Sequence, residues 1–146
     1  MVFVVVAGVI ILDQLTKFIA SRNLSLNAPV SVLKGVFSFT LVHNRGAAFG
    51  ILNNQVPLFV FTSIFAVILI YWELKNNKHR TLYSLALGLI LAGALGNLID
   101  RVIFGYVIDF LDFQVWPVFN LADSAITVGA VLLGLNLLSS KGKNAS

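Results

Sequence analysis

Four long apolar runs organise the chain. The first is unbroken over residues 2–12 and is extended by Phe18, Ile19 and Ala20 past a polar cluster of Asp13, Gln14, Thr16 and Lys17. The others cover residues 56–72, 81–103 and 118–138. A helix crosses the hydrocarbon of a bilayer with about 20 apolar residues, so the pattern predicts four membrane-spanning helices at about 2–20, 56–72, 81–103 and 118–138. No charged segment precedes the first run. Asp13 and Lys17 interrupt it where the core of a cleavable signal peptide would end smoothly, so it reads as a retained helix. Between the first two helices, Val36, Ser38, Thr40 and Val42 alternate with Phe37, Phe39, Leu41 and His43, after a turn at Lys34 and Gly35. This period of two predicts a short strand or hairpin near the membrane surface. The expected fold is an all-α membrane protein, one domain over residues 1–146, with a small β-containing extracytoplasmic region between helices 1 and 2.

Composition agrees with that reading. Of 146 residues, 58% are hydrophobic and 11% charged, with a mean hydropathy of +0.93, against about 25% charged in a soluble domain. Most of the exterior must therefore face lipid. The net charge of +4 comes from basic residues at helix ends, which fits membrane anchoring and no nucleic-acid partner. Lys75, Lys78, Arg80, Lys141 and Lys143 fall on the face shared by both termini, and Arg22, Lys34 and Arg45 on the other. The positive-inside rule then puts the termini in the cytoplasm. Tyr71, Trp72 and Trp116 suit the two interfacial aromatic belts.

Candidate chemistry is narrow. There is no cysteine, and His43 and His79 lie in separate polar segments. Thiol catalysis, disulfides, Cys-ligated metal and a HExxH zinc site are excluded. The acids are more informative. All five aspartates fall in the outer half, and intramembrane acids are functional suspects. Asp100 and Asp123 share a local pattern, Asn97-Leu98-Ile99-Asp100 and Asn120-Leu121-Ala122-Asp123, with an Asn one helical turn before the Asp. Helices 3 and 4 meet at their outer ends, so the pattern predicts two converging carboxylates, each beside an amide. Such a pair shares a proton and can activate water. Asp123, at a helix N-terminus, is the expected base, and Asp100, at a C-terminus, the expected acid. Two plainer readings stand beside this one: Asn120 to Asp123 is also a helix-capping pattern, and Asp100 with Arg101 an ordinary helix-end pair. The small residues Gly88, Gly93, Gly96, Ala125, Gly129 and Gly134 predict close helix packing.

These residues fall into five ordered motifs: Asp13-Gln14-Leu15-Thr16-Lys17, Asn44-Arg45-Gly46-Ala47-Ala48-Phe49, Gly96-Asn97-Leu98-Ile99-Asp100-Arg101, Val107-Ile108-Asp109-Phe110 and Phe119-Asn120-Leu121-Ala122-Asp123. With them the chain resembles lipoprotein signal peptidase (signal peptidase II), an integral-membrane aspartic peptidase family of bacteria, over nearly its whole length. The resemblance implies hydrolysis of a diacylglyceryl-modified prolipoprotein on the amino side of its lipidated cysteine, without metal or organic cofactor. The enzyme would be a monomer in the bacterial cytoplasmic (inner) membrane, its partners the substrate and membrane lipid, its site near the extracytoplasmic face. It maps the catalytic pair onto Asp100 and Asp123. Asn44, Arg45, Asn97 and Asn120 become substrate-binding or site-orienting groups. Asp13, Gln14, Lys17, Arg101 and Asp109 become structural support, with Gln14 open between packing and function and Asp109 organising the outer loop. Asp112, outside any motif, reads as a solvated loop acid, and Gly46 and Gly50 as points of close approach or hinge motion. Two rival functions are a Ser/Lys peptidase using Ser124 and a small proton-coupled transporter. The first lacks a free lysine, since Lys17 belongs to another motif. The second expects an acid near the midplane, whereas these acids gather towards one interface.

Overall fold

The computed structural model describes residues 1–46, 54–76 and 81–143, and the side chains of all but the last four of these. The helices are α1 (Val2–Asn23), α2 (Val56–Asn76), α3 (Thr81–Phe104) and α4 (Leu121–Lys143), and the strands β1 (Val30–Leu33), β2 (Phe37–Asn44) and β3 (Val107–Asp112). Each helix is long and apolar enough to span a bilayer. Ala47, Ala48, Phe49, Gly50, Lys78, His79 and Arg80 lie outside the described residues.

Helix α3 is the central element and packs against α1, α2 and α4. Its sequence explains why. Gly93 sits so close to α4 that a Cβ there would overlap the carbonyl oxygen of Ala122, and one on Gly96 would overlap the Asp13 carboxylate of α1. From α4, a Cβ on Gly129 would press on the Ala86 carbonyl and Ile90. These glycines let backbones approach within the reach of dispersion forces, which drive helix association where lipid is as apolar as the side chains. Gly93→Ala is expected to lower stability by about 1–3 kcal/mol, the usual cost of overpacking. Reversible unfolding in mixed detergent micelles checks this, and an unchanged midpoint would contradict the close crossing.

Polarity is inverted relative to a soluble protein. Phe61, Phe65, Ile68, Val131 and Leu138 are exposed, while Asp13, Lys17, Asp100 and Asn120 have at most 1% exposure. A lipid solvent rewards exposed apolar side chains, and polar groups gather inside where they satisfy one another. Val6, Leu91 and Ala92 form the apolar centre, with Val67, Ile70 and Leu74 of α2 against it.

The three strands form one antiparallel sheet in the order β1-β2-β3. The turn expected at Lys34 and Gly35 joins β1 to β2. Gly35 takes φ +75°, and the Val36 N–H donates to the Leu33 carbonyl at 2.9 Å. Strand β3 lies between α3 and α4, outside the region between helices 1 and 2 to which the sequence pattern assigns the β structure. Gly105, at φ +77°, ends α3 by donating to the Arg101 carbonyl at 3.1 Å, and the chain turns back to pair with β2. Helix α4 starts at Leu121, three residues later than the apolar run suggests. Phe119 is held in backbone hydrogen bonds to Leu111 of β3, so this apolar residue is bridged to the sheet instead of joining the helix, and the polar Asn120 after it becomes the helix cap. Asp112 is also no free solvated acid, because it accepts from the Thr40 hydroxyl at 2.7 Å and the Gln114 N–H at 2.8 Å.

Candidate active site

The sheet closes over one end of the helical bundle, and the polar residues of α1, α3, β3 and α4 meet beneath it in two linked groups. The deeper group is ionic. Lys17 Nζ lies 2.9 Å from Asp13 Oδ2 and 2.8 Å from Asp100 Oδ2, and donates to Asn97 Oδ1 at 3.1 Å. An ammonium has three protons, and all three are used. Asp13 and Lys17 are one turn apart on α1 and so share a face. Asp13 Oδ1 accepts the Ala122 N–H at 2.9 Å, filling one of the donors that the start of α4 leaves unpaired. Asp100 accepts from Gln14 Nε2 at 3.0 Å and from the Ile108 N–H at 3.1 Å, which pins the first turn of β3 to the end of α3. Gln14 is thereby assigned to this network.

Above it lies the second group. Asn120 caps α4: its Oδ1 accepts the Asp123 N–H at 2.9 Å, while Asp123 Oδ2 accepts the Asn120 N–H at 3.2 Å. This is a reciprocal capping box, so the capping reading of the Asn120 to Asp123 pattern holds. Capping leaves Asn120 Nδ2 free for other acceptors. It donates to Asp109 Oδ1 at 2.7 Å and to Asn97 Oδ1 at 3.0 Å. Asn97, whose oxygen is occupied by Lys17 and Asn120, can only turn its NH2 outward, where it meets Asp123 Oδ1 at 2.8 Å. Asn44 Nδ2 on β2 donates to Asp109 Oδ2 at 2.9 Å.

Asp109 and Asp123 therefore lie on either side of the Asn120 cap and both line one open cleft of about 250 Å³, together with Asn44, Asn97 and Arg101. Trp116 and Phe119 supply apolar wall. The Arg101 guanidinium is held over the Phe59 ring of α2, 5.1 Å from its centroid. Burial raises the Asp109 carboxyl to about 7, and the charge of Asp123 acts in the same direction against the hydrogen bonds from Asn44 and Asn120.

This geometry changes the expected pairing. Asp100, predicted to converge with Asp123, is fully buried, ion-paired to Lys17, and does not line the cleft. The carboxyl that shares the cleft with Asp123 belongs to Asp109, which the motif reading placed as loop support. Its signal was present in the sequence: Asp109 is a single acid inside the apolar stretch Val107, Ile108, Phe110 and Leu111, the composition of a buried strand. Pairing with Val42 and Asn44 sends Asp109 and Val107 to one face of β3 and Ile108 to the other. Asn44, Asn97 and Asn120 donate hydrogen bonds to the two cleft carboxylates, while Arg45 is exposed and lies outside the residues lining the cleft.

Known proteins share this architecture. Residues 5–139 match the family profile described as Signal peptidase (SPase) II. A lipoprotein signal peptidase of Halothermothrix orenii is 47% identical over 139 residues, covering 94% of each chain, and one of Burkholderia mallei is 53% identical over 133 residues, covering 86% of this chain and 80% of its own. Two solved bacterial membrane enzymes superpose with TM-scores of 0.90 and 0.84, at 33% and 34% identity. They cover 97% and 94% of this chain, and 90% and 92% of their own. A multi-pass membrane protein whose polar cleft is assembled from the ends of α3 and α4 and the strands between and beside them, the chain is a protease of the signal peptidase II family.

Proposed function

We propose that this protein removes signal peptides from bacterial prolipoproteins, cutting on the amino side of a diacylglyceryl-modified cysteine, with Asp109 and Asp123 as the water-activating pair. The observation that carries the pairing is the single cleft both carboxylates line, bridged by Asn120. The relatives' shared name, lipoprotein signal peptidase, supports the substrate class. The protein acts as a monomer in the cytoplasmic membrane, with its termini in the cytoplasm and the sheet end at the outer face. There a signal helix meets the interface, and the lipid on the cysteine stays among acyl chains.

The chemistry follows from two unlike carboxyls. Asp123, accepting from Asn97 and the Asn120 N–H, serves as the base, and Asp109, pushed up to about 7, holds the proton. Asp123 takes a proton from a water as its oxygen attacks the scissile carbonyl, and Asp109 gives its proton to the carbonyl oxygen. The resulting neutral diol collapses when the proton on Asp123 passes to the departing amine and the diol returns one to Asp109. Atoms and charge balance without a covalent intermediate.

Two tests address this reading. Purified full-length protein should cleave a diacylglyceryl-modified precursor and leave the unlipidated precursor intact, as read by gel shift and product mass. Equal cleavage of both would remove lipid recognition, and cleavage of neither would overturn the proposed substrate. Since the acid must be protonated at the start, kcat/KM should fall as pH rises through about 7. A flat profile to pH 9 would rule out Asp109 as the acid.

A further inference from the structure

A second opening lies on the face of the sheet turned away from the cleft. His43 and Ile108 are cross-strand partners, and their side chains point opposite to those of Asn44, Val107 and Asp109. There a crevice of about 650 Å³ is bounded by the last two turns of α1, the end of α3 and the sheet. Phe18, Phe104 and Ile108 give it apolar walls, and Arg22, His43 and Tyr106 supply polar groups, with the His43 and Tyr106 rings stacked 3.9 Å apart.

Its charge is one-sided. Among the described residues no carboxylate lines the crevice, and Lys17 at its base is taken up by the two carboxylates of Asp13 and Asp100, so the unpaired charge is that of Arg22. Arg22 is exposed and, among the described residues, forms no salt bridge. Its guanidinium lies 5.2 Å from the centroid of the Phe18 ring. Arg45 adds a second positive charge: together with burial, which acts more strongly, it holds the His43 imidazole below the usual range. The crevice thus presents an unpaired guanidinium at its rim, with Arg45 close enough to act on His43, at the end of the membrane-spanning helices, the depth at which lipid head groups lie.

We propose that this crevice binds the phosphate of a membrane glycerophospholipid, with Arg22 on the phosphate and the upper part of an acyl chain against Phe18 and Phe104. A guanidinium matches a phosphate diester in charge and in paired donor geometry, and an aromatic-walled slot beside it suits the first methylenes of the chain. A diacylglyceryl group carries no anion, so the ligand differs from the lipid on the substrate proposed above, and the site stands apart from the cleft. A cation in the last turn of α1 also complements the helix dipole, but that role creates no dependence on lipid.

The test uses delipidated, full-length protein in detergent, titrated separately with phosphatidylglycerol, diacylglycerol and inorganic phosphate, with bound lipid counted by native mass spectrometry. One phosphatidylglycerol per chain is expected, held roughly tenfold more weakly after Arg22→Gln, the effect of losing one charge-assisted hydrogen bond. Equal retention of diacylglycerol, or an unchanged affinity in Arg22→Gln, would overturn the proposal. So would displacement of the lipid by millimolar inorganic phosphate, which would make a free anion the ligand. An independent readout needs no variant: in wild-type protein, NMR titration of His43 should move to higher pKa with phosphatidylglycerol and stay in place with diacylglycerol. A His43 titration indifferent to phosphatidylglycerol would count against the site even if Arg22→Gln failed to fold.

Discussion

Asp109→Asn and Asp123→Asn are each expected to cut the rate of prolipoprotein cleavage by roughly 10²–10⁴-fold, the contribution of a positioned acid or base, while both proteins remain folded. An amide at either position is the same size and keeps one acceptor oxygen, so one of the two hydrogen bonds its carboxylate accepts from its neighbours is retained. At Asp109 those neighbours are Asn44 and Asn120, and at Asp123 they are Asn97 Nδ2 and the Asn120 N–H. The double variant should be no slower than the worse single one, because two groups acting as a unit are not additive. Asp100→Asn should behave differently, losing activity in proportion to lost folded protein, since its carboxylate holds Lys17 and the Ile108 N–H but lines no cleft. Cleavage rates normalised to folded protein, with melting curves for every variant, separate the two classes. Full specific activity in a folded Asp109→Asn protein would break the proposed pair. A folded but inactive Asp100→Asn protein would restore Asp100 to it.

The second large effect concerns stability. Lys17 is the one cation between two buried carboxylates, at 2.9 and 2.8 Å. Lys17→Met leaves both without a cation, with only neutral donors around them, and should cost about 3–5 kcal/mol, the range for breaking a buried pair from one side. Asp100→Asn leaves one carboxylate against one ammonium and should cost less. In the double variant the two losses should not add, because removing Asp100's charge relieves part of what removing Lys17 exposes. Unfolding in mixed micelles gives all four corners of the cycle. If Lys17→Met unfolds within 1 kcal/mol of the parent, the ionic group does not hold the helices together. The consequence for function runs through Asn97: with its oxygen held by Asn120 alone, the amide is less firmly oriented, and the donor facing Asp123 is weakened.

Hydropathy alone settles the four crossings, because the bilayer sets one length scale and each run of apolar residues meets it. The turn at Gly35 and the alternation of β2 were equally legible, since both are local properties of the backbone. So was the Asn120 to Asp123 cap, which closes within one helical turn. All five motifs contribute residues to the two linked polar groups. Their partners are another matter, since a carboxylate's neighbours depend on where three other segments bring their side chains. The repeated Asn-Leu-x-Asp pattern suggests two converging carboxylates, yet among the described residues α1 delivers Lys17 to Asp100 and no ion pair to Asp123. Val118 and Phe119 are as apolar as the helix that follows them, and only the free edge of β3, hydrogen-bonding to Phe119, diverts that residue to the sheet. That diversion, with Gly105 turning the chain back at the end of α3, brings Asp109 from a strand to face an acid on a helix. Periodicity reports which face a residue occupies within its own element. Which faces meet is fixed by packing between elements far apart in the chain, and there the candidate site is made.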